Sequence, residues 1–160
     1  GLPLSFPGGV DRAMEAVDAR LVGDACLWAA TNECAAGETY NLTNGEVFSW
    51  RDMWPAIAQT LDVPLGEDEP LSVAEYVVHR EDLWQGIVAR HDLAPNTLEQ
   101  IVGESHHYAD LCFALGANAA PPPIFVSTVK IHQAGFNQTY NSEESFCYWL
   151  QDLRSRRIIP

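Results

Sequence analysis

The densest group of side chains able to do chemistry is His106, His107 and Asp110. Two imidazoles and a carboxylate are metal ligands by type, and on a helix His106 and Asp110 would share a face at i and i+4. A third protein ligand of matching spacing is missing around them, so the preferred reading is a helix face or pocket wall, with no metal expected. A second chemistry, proton transfer by a tyrosine, needs a nearby lysine whose charge favours the phenolate. Lys130 is the only lysine, and none of the five tyrosines stands four residues before it. The chain also lacks a GxGxxG or GxxxxGKS/T turn whose backbone amides would cradle a pyrophosphate or triphosphate, so no cofactor-binding residue is assigned. A Ser-His-Asp hydrolase would need a Gly-x-Ser-x-Gly elbow to expose its nucleophile, and none occurs. No catalytic residue is therefore expected within this chain.

The elements that must position these residues are mostly helical. Asp18 to Thr31 sets Leu21, Val22, Ala25, Leu27, Trp28 and Ala29 at helical spacing. Glu38 to Thr43 alternates polar and larger residues before Asn44-Gly45 and predicts a short strand that needs partners outside the chain. Ser49, with Asp52 three residues on, caps the next helix, whose apolar face carries Trp50, Trp54, Ile57, Ala58 and Leu61. Ser72 and Glu75 form a second capping box, opening helices through His91 that break near His79 to Glu81. A short helix follows Asn96-Thr97, and another runs near Ser105 to Leu115. Pro121-Pro122-Pro123 leads into Ile124-Phe125-Val126, a strand or extended connector. Ser127 caps a helix ending at Gly135, and Ser142 caps a last one over Glu143 to Arg157. Trp28, Trp50 and Trp54 are read as packing residues.

With 160 residues, 47% of them hydrophobic and 19% charged, the chain can bury a sizeable core. Nine basic against 22 acidic side chains give a formal charge of −13, which disfavours nucleic acid and anionic membranes as partners. No apolar run approaches the roughly 20 residues that span a bilayer, and a soluble, cytoplasmic protein is expected. Cys26, Cys34, Cys112 and Cys147 form no CxxC pair and are expected as buried, reduced thiols. The start at Gly1 without Met reads as a chain entered partway through, and Ile158-Ile159-Pro160 as its end.

Several segments, in order and spacing, resemble the C-terminal part of progesterone 5β-reductase/iridoid synthase-like enzymes, a branch of the extended short-chain dehydrogenase/reductases. They are Leu4-Ser5-Phe6-Pro7-Gly8, Asp18-Ala19-Arg20-Leu21 with Trp28-Ala29-Ala30, and Tyr40 through Trp50 with Trp54. Ser127, Lys130, Gly135-Phe136 and Ile158-Ile159-Pro160 complete the series. The resemblance implies an α/β fold, predominantly helical here. Residues 1–64 would return to the dinucleotide-binding (Rossmann) domain as a late strand with flanking helices, and 65–160 would form a helical substrate-binding lobe.

It further implies that the N-terminal half, with the catalytic tyrosine and lysine, lies outside this chain. NADP(H) or NAD(H) would be bound by the full-length protein and by no residue here. The implied reaction is hydride transfer to the β-carbon of a carbonyl-conjugated substrate, an enone or enal, with a tyrosine stabilising the enolate. Homodimers are compatible with that reading. Tyr108 matches the pocket aromatic of a Trp-Trp-Phe-Gly-Asp-like stretch, Asp110 its aspartate, while His106 and His107 stand where the tryptophans would and make the pocket more polar. Two rivals remain open. One is a sugar-nucleotide epimerase or dehydratase of the same extended family. The other is a nonenzymatic module that binds a ligand or partner protein through its uncovered apolar face.

Overall fold

A computed structural model describes residues 2–160; Gly1, and with it the reading of where the chain is entered, lies outside the described residues. The N-terminal segment has no helix because prolines at 3 and 7 and glycines at 8 and 9 punctuate it. It runs instead beside residues 64–71. The Leu4 amide donates to the Pro64 carbonyl (2.8 Å), Gly66 to Leu4 (3.1 Å), Glu69 to Phe6 (3.0 Å) and Leu71 to Pro7 (3.0 Å). Gly9 then passes so close to a later turn that a Cβ on it would lie 2.4 Å from the Ala114 carbonyl oxygen.

The described sheet is a two-stranded antiparallel ribbon of β1 (Ala13–Met14) and β2 (Phe48–Ser49), with Ala13 opposite Ser49 and Met14 opposite Phe48. Residues 38–43, expected as a strand with partners outside the chain, have no ladder beside them among the described residues. A strand requires a hydrogen-bonded neighbour, and none of the described segments supplies it there. The short ribbon forms elsewhere, ending at the capping Ser49.

Several helices follow their capping signals. α1 spans Ala19–Thr31 with Asp18 as N-cap, and α2 spans Trp50–Thr60 with the Ser49 hydroxyl accepting from the Asp52 amide at 3.1 Å. α3 (Val73–Val78), capped by Ser72, breaks at His79 before α4 (Glu81–His91). α5 (Leu98–Val102) begins in a full capping box of Thr97 and Gln100. α6 (His106–Cys112) is a turn shorter at its C-terminal end than expected, because Ala114 adopts a positive φ of 51°. Residues 124–126 form a connector and not a strand. In α7 (Val129–Gln133) the cap position is Thr128, although the Ser127 hydroxyl does face the Val129 amide at 3.5 Å. α8 (Ser142–Ser155) is capped by Asn141 in place of Ser142, whose hydroxyl is drawn inward and wholly buried.

Two cores result. Leu21 of α1, Ile131 of α7 and Phe136 form one, with Ala25, Trp28, Tyr40, Leu42 and Tyr140 packed around it. The second is aromatic, with Phe6, Trp50, Trp54, Phe113 and Phe146 meeting largely edge to face at centroid distances of 4.9–5.8 Å. Met53, Ile57 and Ala58 bury the inner side of α2 beside it, where α2 packs on α8. The three tryptophans therefore pack as expected. The cysteines depart from expectation: none is disulfide-bonded, yet Cys26 and Cys34 are exposed. Cys26 sits on the face of α1 opposite Leu21, alongside Leu27 and Val22, which are 67% and 40% exposed. No described helix is long and apolar enough to cross a membrane.

Candidate functional site

α6 carries the residues singled out for chemistry, and its anchor is Asp110. That carboxylate accepts from the Ser72 hydroxyl (2.6 Å) and from the amides of Val73 (2.8 Å) and Ala74 (3.3 Å). It thereby satisfies the open donors at the start of α3 from a second helix, where the macrodipole also favours a negative charge. Asp110 is thus a structural link between α3 and α6 and is not free to ligate. Among the described residues no group of three or more His, Cys, Asp or Glu side chains is placed to hold a metal ion. Asp110→Ala should lower stability by about 2 kcal/mol, because a shared cap and three hydrogen bonds go together. The urea midpoint reports this, and an unchanged midpoint would refute the anchoring role.

The helix period then separates His106, His107 and Tyr108. Successive positions turn by about 100°, so His106 and Tyr108 project on nearly opposite sides of α6. His106 faces a groove of about 480 Å³ between α3, α5 and α6, and its Nδ1 lies 3.0 Å from the Gly103 carbonyl. His107 is solvent-facing and pairs with Glu104 at 3.0 Å. Tyr108 is 65% exposed on the other side, together with Leu111 at 64%. The structure brings His106 and His107 ring to ring at 3.9 Å, and it brings neither His107 nor Tyr108 into the groove that His106 lines.

A second concavity, of about 290 Å³, lies between residues 12–17, Leu42-Thr43, Ile124 and Val126. Glu15 closes one end by accepting from the Val126 amide at 2.9 Å. Around it Val17, Ile124, Phe125 and Val126 leave apolar side chains 44–80% exposed. Lys130 takes no part in either concavity. It pairs with Glu38 at 2.7 Å, donates to the Thr39 carbonyl at 2.9 Å, and holds the Glu38 carboxyl below its usual range.

The most developed polar network was not legible as such. Asp18, 2% exposed, receives the Arg20 guanidinium in two hydrogen bonds (2.9 and 2.7 Å), the Arg20 amide (2.7 Å), the Trp149 indole (3.2 Å) and the Ser145 hydroxyl. The Asn44 side chain accepts from the Asp18 amide at 2.7 Å and donates to the Ser142 hydroxyl at 3.1 Å. The Arg20 guanidinium lies 3.7 Å from the Tyr148 ring centre. Hydrogen bonding to Arg20, against the opposing effect of burial, holds the Asp18 carboxyl far below its usual value. The available signal was two serines, Ser142 and Ser145, three apart on one side of a helix, where they are the buried residues.

No family model matches the chain. Individual relatives do, almost end to end. It is 29% identical over 169 residues, 99% of its length, to an (S)-8-oxocitronellyl enol synthase of Camptotheca acuminata. It is 30% identical over 149 residues, 91% of its length, to the (S)-8-oxocitronellyl enol synthase of Antirrhinum majus. To the 3-oxo-Delta(4,5)-steroid 5-beta-reductase of Arabidopsis thaliana it is 28% identical over 166 residues, 100% of its length. The class that these relatives share is that of enzymes. Over nearly its whole length the chain is similar to part of these progesterone 5β-reductase/iridoid synthase-like enzymes. It spans about two fifths of the relatives it matches: 41%, 36% and 41% of their respective lengths.

Proposed function

We propose that the chain is the substrate-side part of an NAD(P)H-dependent oxidoreductase that reduces C=C bonds conjugated to a carbonyl. The observation that carries this is the end-to-end match to enol synthases and to a steroid 5-beta-reductase, over two fifths of their lengths. A complementary half would then cover what this chain leaves open. Val17, Tyr108, Leu111, Ile124, Phe125 and Val126 expose apolar surface, as does the outer side of α1 with Val22 and Leu27. Contiguous apolar surface of that kind is a mark of a face that another surface meets.

On this reading residues 1–64 join the nucleotide-binding domain, the extended stretch 38–43 completing its sheet, and 65–160 close over the substrate. Tyr108 is the pocket aromatic and the adjacent His107 gives its rim polarity, while His106 faces the separate groove beside α3 and α5. The residues present here do not suit the cofactor's pyrophosphate. The backbone of Phe113 and Ala114 fills the space beside Gly8-Gly9, and Arg12, the one cation lining the second concavity, already donates from one Nη to the Leu111 carbonyl at 3.0 Å. The cofactor therefore belongs to the complementary half.

The test is the complete protein, supplied with NADPH and a panel of enones and enals, with products identified by mass spectrometry. Saturated carbonyl products are expected; a protein that binds NADPH and reduces no activated alkene overturns the proposal. Within it, Tyr108→Ala should raise KM about tenfold while leaving the unfolding midpoint unchanged, since an exposed ring contributes little to this fold but about 1–1.5 kcal/mol to a covered substrate. Steady-state kinetics beside urea denaturation separate the two effects.

A further inference from the structure

We propose that the groove between α3, α5 and α6 binds an apolar molecule carrying a protonated amine. Its volume, about 480 Å³, falls within the range that holds small organic ligands. The floor is aliphatic: Val77 and Val78 come from the end of α3, and Leu98 and Val102 from α5. All three carboxylates at its edge, Glu81, Glu99 and Glu104, carry negative charge, and no lysine or arginine is among the residues that line it.

These carboxylates are not equivalent. Glu81 is committed to the fold, accepting from the Leu98 amide at 2.8 Å and from Gln85 at 2.6 Å. Glu104 faces His107. Glu99 has no ion-pair or side-chain hydrogen-bond partner among the described residues, so its charge is available to a ligand. His106 completes the polar edge, its Nδ1 lying 3.0 Å from the Gly103 carbonyl. An edge of acceptors and negative charge over an aliphatic floor selects a cation with an apolar body and repels an anion. Such a ligand differs from the neutral carbonyl compound proposed for the other side of α6, and the groove stands or falls independently of that reading.

Three probes of one shape test it on the isotopically labelled chain by NMR titration: 4-phenylbutylamine, its N-acetyl derivative and 5-phenylpentanoate. The amine should shift the amides of residues 98–103 and bind at least tenfold more tightly than the amide, with the carboxylate weakest. Its affinity should fall with added salt. Glu99→Gln, a change at an exposed site that leaves folding intact, should weaken the amine about threefold and leave the amide unaffected. Val102→Trp, which fills the floor, should abolish all three. Equal binding of amine and amide, or no movement of residues 98–103 with any probe, overturns the proposal.

Discussion

Asp18→Ala should destabilise the chain by about 3 kcal/mol, the low end of the cost of breaking a buried ion pair, because Arg20 retains a path to water. The Asp18 side chain is fully buried while that of Arg20 is 33% exposed. Alanine leaves the Arg20 and Trp149 donors, the Ser145 hydroxyl and the first turn of α1 without their acceptor, and three chain segments lose their common contact. The pH dependence carries its own sign. The folded-state carboxyl is held well below the free value of 3.8, so its contribution is complete above that value and is lost as pH falls beneath it. The wild-type urea midpoint should therefore drop more steeply below pH 4 than that of Asp18→Ala, and the two curves should converge in acid. Parallel curves would mean that Asp18 does not titrate with folding.

This network also shows where sequence reasoning stopped. Capping depends on neighbours three residues apart, so Ser49 with Asp52, Ser72 with Glu75 and the break at His79 could be read from local spacing. The strand over Glu38 to Thr43 could not be judged locally, because a strand exists only with a partner, and the ribbon of Ala13–Met14 with Phe48–Ser49 was too short to leave a period-two pattern. Ser142 was misassigned as a cap for a related reason. Asn141 and Ser142 are both competent caps, and only the distant Asn44 side chain decides that the serine turns inward. At the candidate site, the period of α6 already implied that His106 and Tyr108 diverge, yet the groove beside His106 depends on Val77, Leu98 and Glu99, brought together only by packing. Asp110 was legible as a polar residue on α6 but not as the cap of α3, a contact made 38 residues away in sequence.

Leu21→Ala against Leu27→Ala turns the two faces of α1 into a test of the proposed function. Both are leucines on one helix with equal intrinsic helix preference, but Leu21 is 0% exposed and Leu27 is 67% exposed. Leu21 packs with Ile131 and Phe136, so its truncation removes buried methyl groups and opens a cavity, and about 3 kcal/mol of stability should go with it. Leu27→Ala should change this chain by less than about 0.5 kcal/mol, because its side chain is already largely in water. Chemical denaturation of both variants gives the contrast directly, and equal midpoints would mean that the Leu21 core is not formed. In the complete protein the expectation for Leu27 reverses. If a nucleotide-binding half covers the outer face of α1, that leucine becomes buried and its truncation should cost about 2 kcal/mol. A complete protein indifferent to Leu27→Ala would leave the α1 face uncovered and remove the packing argument for a complementary half.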